Sequence, residues 1–153
     1  MGFYWEEFSI NDQFQTEEIT VEEKLVQSFS ELSGDTNPNH TNPSEAKKSI
    51  YKRPIAHGML IVSLFTGLNR KLGILKGTSL GVIHVEWSFK KPVYVGDTIY
   101  YSIQVIDKKE TSKTDRGLLK RKVCVIHKDT NCIAGEGTFL NLVKRKAGSL
   151  NDK

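Results

Sequence analysis

Asp35 and His40 stand five residues apart, on either side of Thr36-Asn37-Pro38-Asn39. A carboxylate and an imidazole suit the work of holding and deprotonating a water. In a continuous helix that separation would turn the two side chains to different faces. The Asn37-Pro38 turn signal breaks such a helix and lets both groups fold towards one point. Further along, Ala56-His57-Gly58-Met59 opens a long apolar run. A glycine at a helix start offers an unpaired backbone N–H, no side chain in the way, and the positive end of the dipole. Gly58 is thus a candidate donor to developing negative charge, and Asp35 with His40 a candidate pair for moving a proton beside a carbonyl. Taken alone, Asp35 also fits an Asx turn bonded to its own backbone, and His40 an exposed loop histidine.

The elements that must position these groups follow from periodicity. Residues 12–19 fit an edge strand. Thr20-Val21-Glu22-Glu23 reads as a capping box with Thr20 at the N-cap, and Leu25, Val26, Phe29 and Leu32 continue it at helical spacing. Gly34 can end that helix in a left-handed cap. Asn42-Pro43-Ser44-Glu45 starts a short helix through Lys48. A second long helix runs from His57 or Gly58 to about Leu72. It is apolar around most of its circumference near the start, the mark of a helix buried at the centre of a domain.

Everything after Gly77 reads as strand. Ile83, Val85, Trp87 and Phe89 alternate onto one face, as do Ile99, Tyr101, Ile103 and Val105. Leu119, Arg121, Val123 and Val125 form a weaker set, and 133–143 is the last strand. Gly96-Asp97 and Asp129-Thr130-Asn131 are turn signals, and short connections favour antiparallel neighbours. Gly135 and Gly137 share a face, where their expected role is to let the buried helix approach the sheet. The chain is expected to be one α+β domain, 1–153, with its core over about 8–143 and a basic tail from 144 to 153.

Composition excludes several classes. The chain has 153 residues, 38% hydrophobic and 26% charged, which fits a single globular domain. The net charge is +4, and Lys144-Arg145-Lys146 supplies most of it. That tail is expected to be solvated and frayed. No basic stripe with interleaved aromatics suggests nucleic acid. The apolar runs are far shorter than a membrane span, and no signal-like block opens the chain, so a cytoplasmic location is expected. Cys124 and Cys132 are expected to be free thiols. The four histidines show no zinc spacing, so no metal is expected.

Three segments together resemble a known family. Phe29-Ser30-Glu31-Leu32-Ser33-Gly34-Asp35-Thr36-Asn37-Pro38-Asn39-His40, Pro54-Ile55-Ala56-His57-Gly58-Met59-Leu60, and Phe89-Lys90-Lys91-Pro92-Val93-Tyr94-Val95-Gly96-Asp97-Thr98 are similar to the catalytic segment, central-helix entry and mid-sheet turn of the MaoC-like (R)-specific enoyl-CoA hydratases. The resemblance implies a single hot-dog domain, an antiparallel sheet wrapped around a long central helix. It implies Asp35 and His40 as the catalytic pair. Asn37 would fix the loop or touch the thioester, and Ser63 would hydrogen-bond near the pair. Asn39 stands where the family usually has an aliphatic residue, and would line the acyl pocket or support the loop. His57 is expected to pack at the helix entrance outside the catalytic set. His84 and Glu86 form a solvated or interface pair.

The implied substrate is an acyl-CoA, or an acyl-carrier-protein thioester in the dehydratase direction. No cofactor is expected beyond the coenzyme A of the substrate, whose phosphates would meet Lys52, Arg53, Lys90 or the basic tail. A homodimer is expected. A thioesterase on the same fold is the rival, but the helix from Gly58 to Leu72 contains no Asp or Glu to activate water there.

Overall fold

A computed structural model describes residues 1–146. The part of the basic tail from 147 to 153 lies outside the described residues. A 3-10 turn, Trp5–Glu7, precedes two short strands, β1 (Gln13–Gln15) and β2 (Ile19–Thr20). Four helices follow: α1 (Glu23–Ser33), α2 (Pro38–Thr41), α3 (Pro43–Lys48) and α4 (Gly58–Leu72). Four long strands complete the chain: β3 (Ser79–Phe89), β4 (Thr98–Glu110), β5 (Arg116–His127) and β6 (Ile133–Lys144). The sheet is six-stranded, in the order β1-β4-β5-β6-β3 with β2 also on β4. Every pairing is antiparallel.

The sheet wraps α4. Leu60, Ile61, Phe65 and Leu68 of α4 are buried against Ile99, Tyr101 and Ile103 of β4, Val123 and Val125 of β5, and Phe139 of β6. The alternation in β4 and β5 is what directs these residues onto one face. Tyr101 reaches furthest, its hydroxyl donating to the Ile61 carbonyl at 2.6 Å. Burial pushes its phenol well above the usual range. α4 ends at Gly73, which takes the left-handed conformation its position requires.

Several sequence expectations are corrected. Thr20 is not an N-cap. It lies in β2, its hydroxyl bonded to that of Thr98 at 2.8 Å, and Glu22 takes the cap position without a side-chain bond. Leu32 is 85% exposed, because α1 turns only its Val26 side fully inward. Met59 is 60% exposed, so α4 is already two-faced at its first turn. Gly135 and Gly137 serve β3 and not the helix. A Cβ on Gly137 would fall 1.9 Å from the Glu86 carbonyl oxygen, and one on Gly135 would meet the Trp87 indole. On β3, the last strand on its side of the described sheet, the Ile83, Val85 and Phe89 side chains stay exposed, and a register shift between Val82 and His84 breaks the alternation at Ile83.

The basic tail, as far as it is described, is a clamp and not a fray. Arg145 bonds Glu6 at 2.8 Å and approaches Glu110 at 3.2 Å, while Lys146 bonds Glu7 at 2.9 Å. These pairs hold the 3-10 turn over a second apolar cluster of Phe8, Ile74, Leu75, Val105, Leu119 and Val143. Both cysteines are free. Among the described residues no helix is long and apolar enough to cross a membrane.

Candidate active site

Gly34 makes the site possible. With φ at +78°, a conformation glycine adopts without steric cost, it ends α1 and turns the chain back on itself. Asp35 follows at once. Its Oδ1 accepts the Asn37 N–H at 3.3 Å, the Asx-turn bond that its position invites. Asn37 then caps α2, its Oδ1 accepting the Asn39 N–H at 2.9 Å. Asn37 therefore fixes the loop. The segment from Asp35 to His40 is not all loop, for His40 rides on the single turn of α2.

His40 is tied to a separate part of the chain. Its Nδ1–H donates to the Ile55 carbonyl at 2.7 Å, and the Ile55 N–H returns to the Asn39 carbonyl at 3.1 Å. The 54–56 segment is itself pinned to the mid-sheet turn, Ala56 N–H to Val93 O at 2.7 Å and Val95 N–H to Pro54 O at 3.1 Å. Because a carbonyl only accepts, His40 carries its proton on Nδ1 and keeps a lone pair on Nε2. That tautomer suits a group that receives a hydrogen bond from water.

His57 is the residue that sequence reasoning left outside the site. It is 2% exposed, and its Nε2 lies 3.0 Å from both the Asp35 carbonyl and the Ser30 hydroxyl. Its ring lies against that of His40, centroids 3.9 Å apart and planes at 30°. Since the Asp35 carbonyl can only accept, Nε2 bears the proton, and the buried Nδ1 has no partner. Burial lowers the His57 pKa, the Asp35 carbonyl opposes that shift, and the neighbouring His40 adds to it. His57 is thus a neutral strut between the loop carrying Asp35 and the ring of His40. The signal available in the sequence was its place immediately before Gly58, at the entrance to α4.

The carboxylate of Asp35 and one ring nitrogen each of His40 and His57 all lie within 4.8 Å of one another. Such a trio is the arrangement a metal would seek. Three ligand atoms are one short of the four that close a structural zinc site. The same spacing suits one water held between Asp35 and His40, with hydrogen bonds of about 2.8 Å to each.

Gly58 opens α4, where its N–H has no partner one turn back. A Cβ there would sit 2.7 Å from the Phe89 ring, an exposed side chain that would have to move aside. Gly58, Ile61, Phe89, Val93, Val125 and Ala134 bound a largely apolar cavity of about 480 Å³ that Lys90 and Lys91 also line. Asn39 supports the loop through its carbonyl, and its side chain is not among the cavity's lining. Ser63 donates to the Met59 carbonyl at 2.7 Å on the exposed face of α4. No hydrogen bond among the described residues joins it to Asp35 or His40. His84 and Glu86 form an exposed pair at 3.6 Å on β3.

A sheet wrapped on one helix, with an acid and an imidazole held at that helix's entrance, defines a recognisable class. Residues 7–125 match the family model described as the MaoC like domain, and the chain belongs to that family. It is 41% identical over 80 residues to an (R)-specific enoyl-CoA hydratase of Aeromonas caviae, covering 52% of this chain and 58% of that one. It is 31% identical over 117 residues to a mitochondrial 3-hydroxyacyl-[acyl-carrier-protein] dehydratase of Arabidopsis thaliana, covering 75% of this chain and 67% of that one. The structure of an (R)-hydratase from A. caviae, involved in PHA biosynthesis, superposes with a TM-score of 0.74 at 27% identity. That match covers 92% of this chain and 98% of the other.

Proposed function

We propose that the protein is a hydro-lyase that reversibly hydrates trans-2-enoyl-CoA to (R)-3-hydroxyacyl-CoA. The observation that carries this reading is the convergence of the Asp35 carboxylate and the His40 imidazole on His57, the residue before Gly58, which lines the apolar cavity together with Ile55, the carbonyl partner of His40. The enoyl chain lies in the cavity with its thioester oxygen at the Gly58 N–H. A water held by Asp35 and His40 Nε2 gives a proton to Asp35 while its oxygen attacks C3. Charge moves through C2 onto the thioester oxygen, where the N–H and the dipole of α4 stabilise the enolate. Asp35 then returns the proton to C2, so one water is added and no electron pair is left over. The thioester is the electron sink, and no cofactor is needed.

Lys90 and Lys91 line the cavity and would meet the coenzyme's phosphates. The carrier-protein dehydratase is the same chemistry read in reverse, and the plant relative favours keeping it as the second reading. The exposed apolar edge of β3 supports a homodimer, since an uncovered strand of this length is a template for pairing. Two free thiols fit a reducing compartment, such as the cytoplasm.

The test is an assay on crotonyl-CoA with chiral analysis of the product. Loss of enoyl absorbance without free thiol, giving the (R) alcohol, is the expected result. Release of free thiol would instead make the protein a thioesterase. Asp35→Asn and His40→Ala should each lower turnover by at least ~10²-fold with the fold intact. Near wild-type rates in both variants would remove the mechanism.

A further inference from the structure

The other end of α4 holds a second cavity, of about 380 Å³, with a charged floor. Its floor is Arg121, which the alternation of β5 turns inward among the apolar residues of that strand. Arg121 is 1% exposed, and its guanidinium bonds only neutral groups. Nη1–H donates to Asn69 Oδ1 and Nη2–H to Asn141 Oδ1, both at 2.8 Å. Nε–H is buried with no partner. No described carboxylate lies within ion-pair distance of it, although burying an unpaired cation is among the costlier things a fold does. Burial pushes its pKa down to about 10, so it remains charged at neutral pH.

The rest of the cavity repeats the pattern. Arg70 and Lys76 also line it, no acidic side chain does, and Phe65, Val82 and Phe139 supply apolar wall. Asn69 and Asn141 spend their oxygens on Arg121 and keep their amide N–H groups to donate. The cavity at Gly58 takes Gly58 and Ile61 from α4 and Val125 from β5, whereas this one takes Phe65, Asn69 and Arg121. Four residues of strand separate Val125 from Arg121, about 13 Å. The Phe65 and Phe139 rings, centroids 4.7 Å apart, border only the Arg121 cavity.

We propose that this cavity is a binding site for an oxyanion, a carboxylate or phosphate group seated on Arg121, Asn69 and Asn141, separate from the catalytic loop. An arginine fork with free N–H groups is suited to two parallel bonds to such a group. Occupancy would join α4, β5 and β6 at one point and supply the counter-charge that the buried guanidinium lacks.

The test is thermal unfolding of the whole chain, titrated with sodium phosphate and separately with sodium acetate at ionic strength fixed by chloride. The Arg121 Nε–H resonance is followed by NMR over the same titrations. A saturable rise in Tm and a matching movement of that resonance are expected with at least one of the two. Saturation by phosphate alone assigns a phosphate ester, and saturation by acetate alone a carboxylate. Arg121→Met should abolish the saturable rise, and Arg70→Ala at the rim should weaken the apparent Kd several-fold. If Arg121→Met fails to fold, the resonance and Arg70→Ala still decide the matter. A response to both salts no different from chloride overturns the proposal, and so does an Nε–H that does not move. A silent titration is also what a partner side chain filling the cavity would give, and that too would end it.

Discussion

His57→Phe separates holding the Asp35 loop from holding the fold. Phenylalanine keeps a ring of similar size against His40, so the stack at 3.9 Å survives. The substitution removes the Nε2–H that bonds the Asp35 carbonyl and the Ser30 hydroxyl, each at 3.0 Å. Losing one such shared donor costs about 1 kcal/mol, and the two acceptors it leaves cost somewhat more. The same change also removes Nδ1, a buried nitrogen with no partner, whose burial costs about 1–3 kcal/mol. These effects oppose one another, so stability should stay within about 1 kcal/mol of wild type, or ~2–4 °C in Tm. Turnover should not survive as well. Asp35 sits on an exposed loop whose tie to the helix entrance is this bond, and a displacement of about 1 Å at a reacting group can cost 10²-fold. The expected result on crotonyl-CoA is kcat lowered about 10- to 100-fold with KM within about twofold. His57→Gln, whose amide N–H can still reach the carbonyl, should recover much of the loss. An unchanged kcat in His57→Phe, with the protein folded, would refute the role given to His57.

Protonation of His57 gives a second handle. Burial depresses its folded pKa below the unfolded value of about 6.5. Below that value the unfolded chain binds the proton first, so stability complete above pH 6.5 declines as pH falls towards the folded pKa. The urea midpoint should therefore drop on acidification more steeply in wild type than in His57→Phe, and equal slopes would contradict the assignment. Tyr101→Phe removes the bond to the Ile61 carbonyl and should lower stability by about 1–1.5 kcal/mol in chemical denaturation, with crotonyl-CoA turnover retained. Gly137→Ala places a methyl 1.9 Å from the Glu86 carbonyl oxygen, so β3 must shift; a cost of about 3 kcal/mol or more is expected from urea denaturation.

How far the sequence could be read depended on whether a feature was local. The bounds of α4 were legible because the apolar run starts at a glycine and stops at another, and both signals are carried by the residues themselves. Gly34, Asn42 and Gly96 were legible for the same reason. Thr20 misled because a capping box and a strand residue look alike over four positions. Only its pairing with Thr98, far along the chain, decides between them. Gly135 and Gly137 were correctly seen as points of close approach, but what approaches is β3, placed there by the β3–β6 register and not by anything nearby in sequence.

The site divides along the same line. Asp35, Asn37, His40 and Gly58 owe their geometry to short-range bonds: an Asx turn, a cap, a helix start. Types and spacing therefore made that local geometry legible. What makes them one site is longer in range. His40 takes its tautomer from Ile55, and Asp35 is held by His57 across 22 residues. Arg121 shows the limit most clearly. Its alternation with Leu119, Val123 and Val125 marks it as inward-facing, yet inward-facing normally argues against arginine. Its two bonded partners lie on α4 and β6, 52 and 20 residues away. A charged residue on a core face is a contradiction in the local pattern. Such contradictions are where tertiary structure has to supply either a counter-charge or a ligand, and the described residues supply no counter-charge.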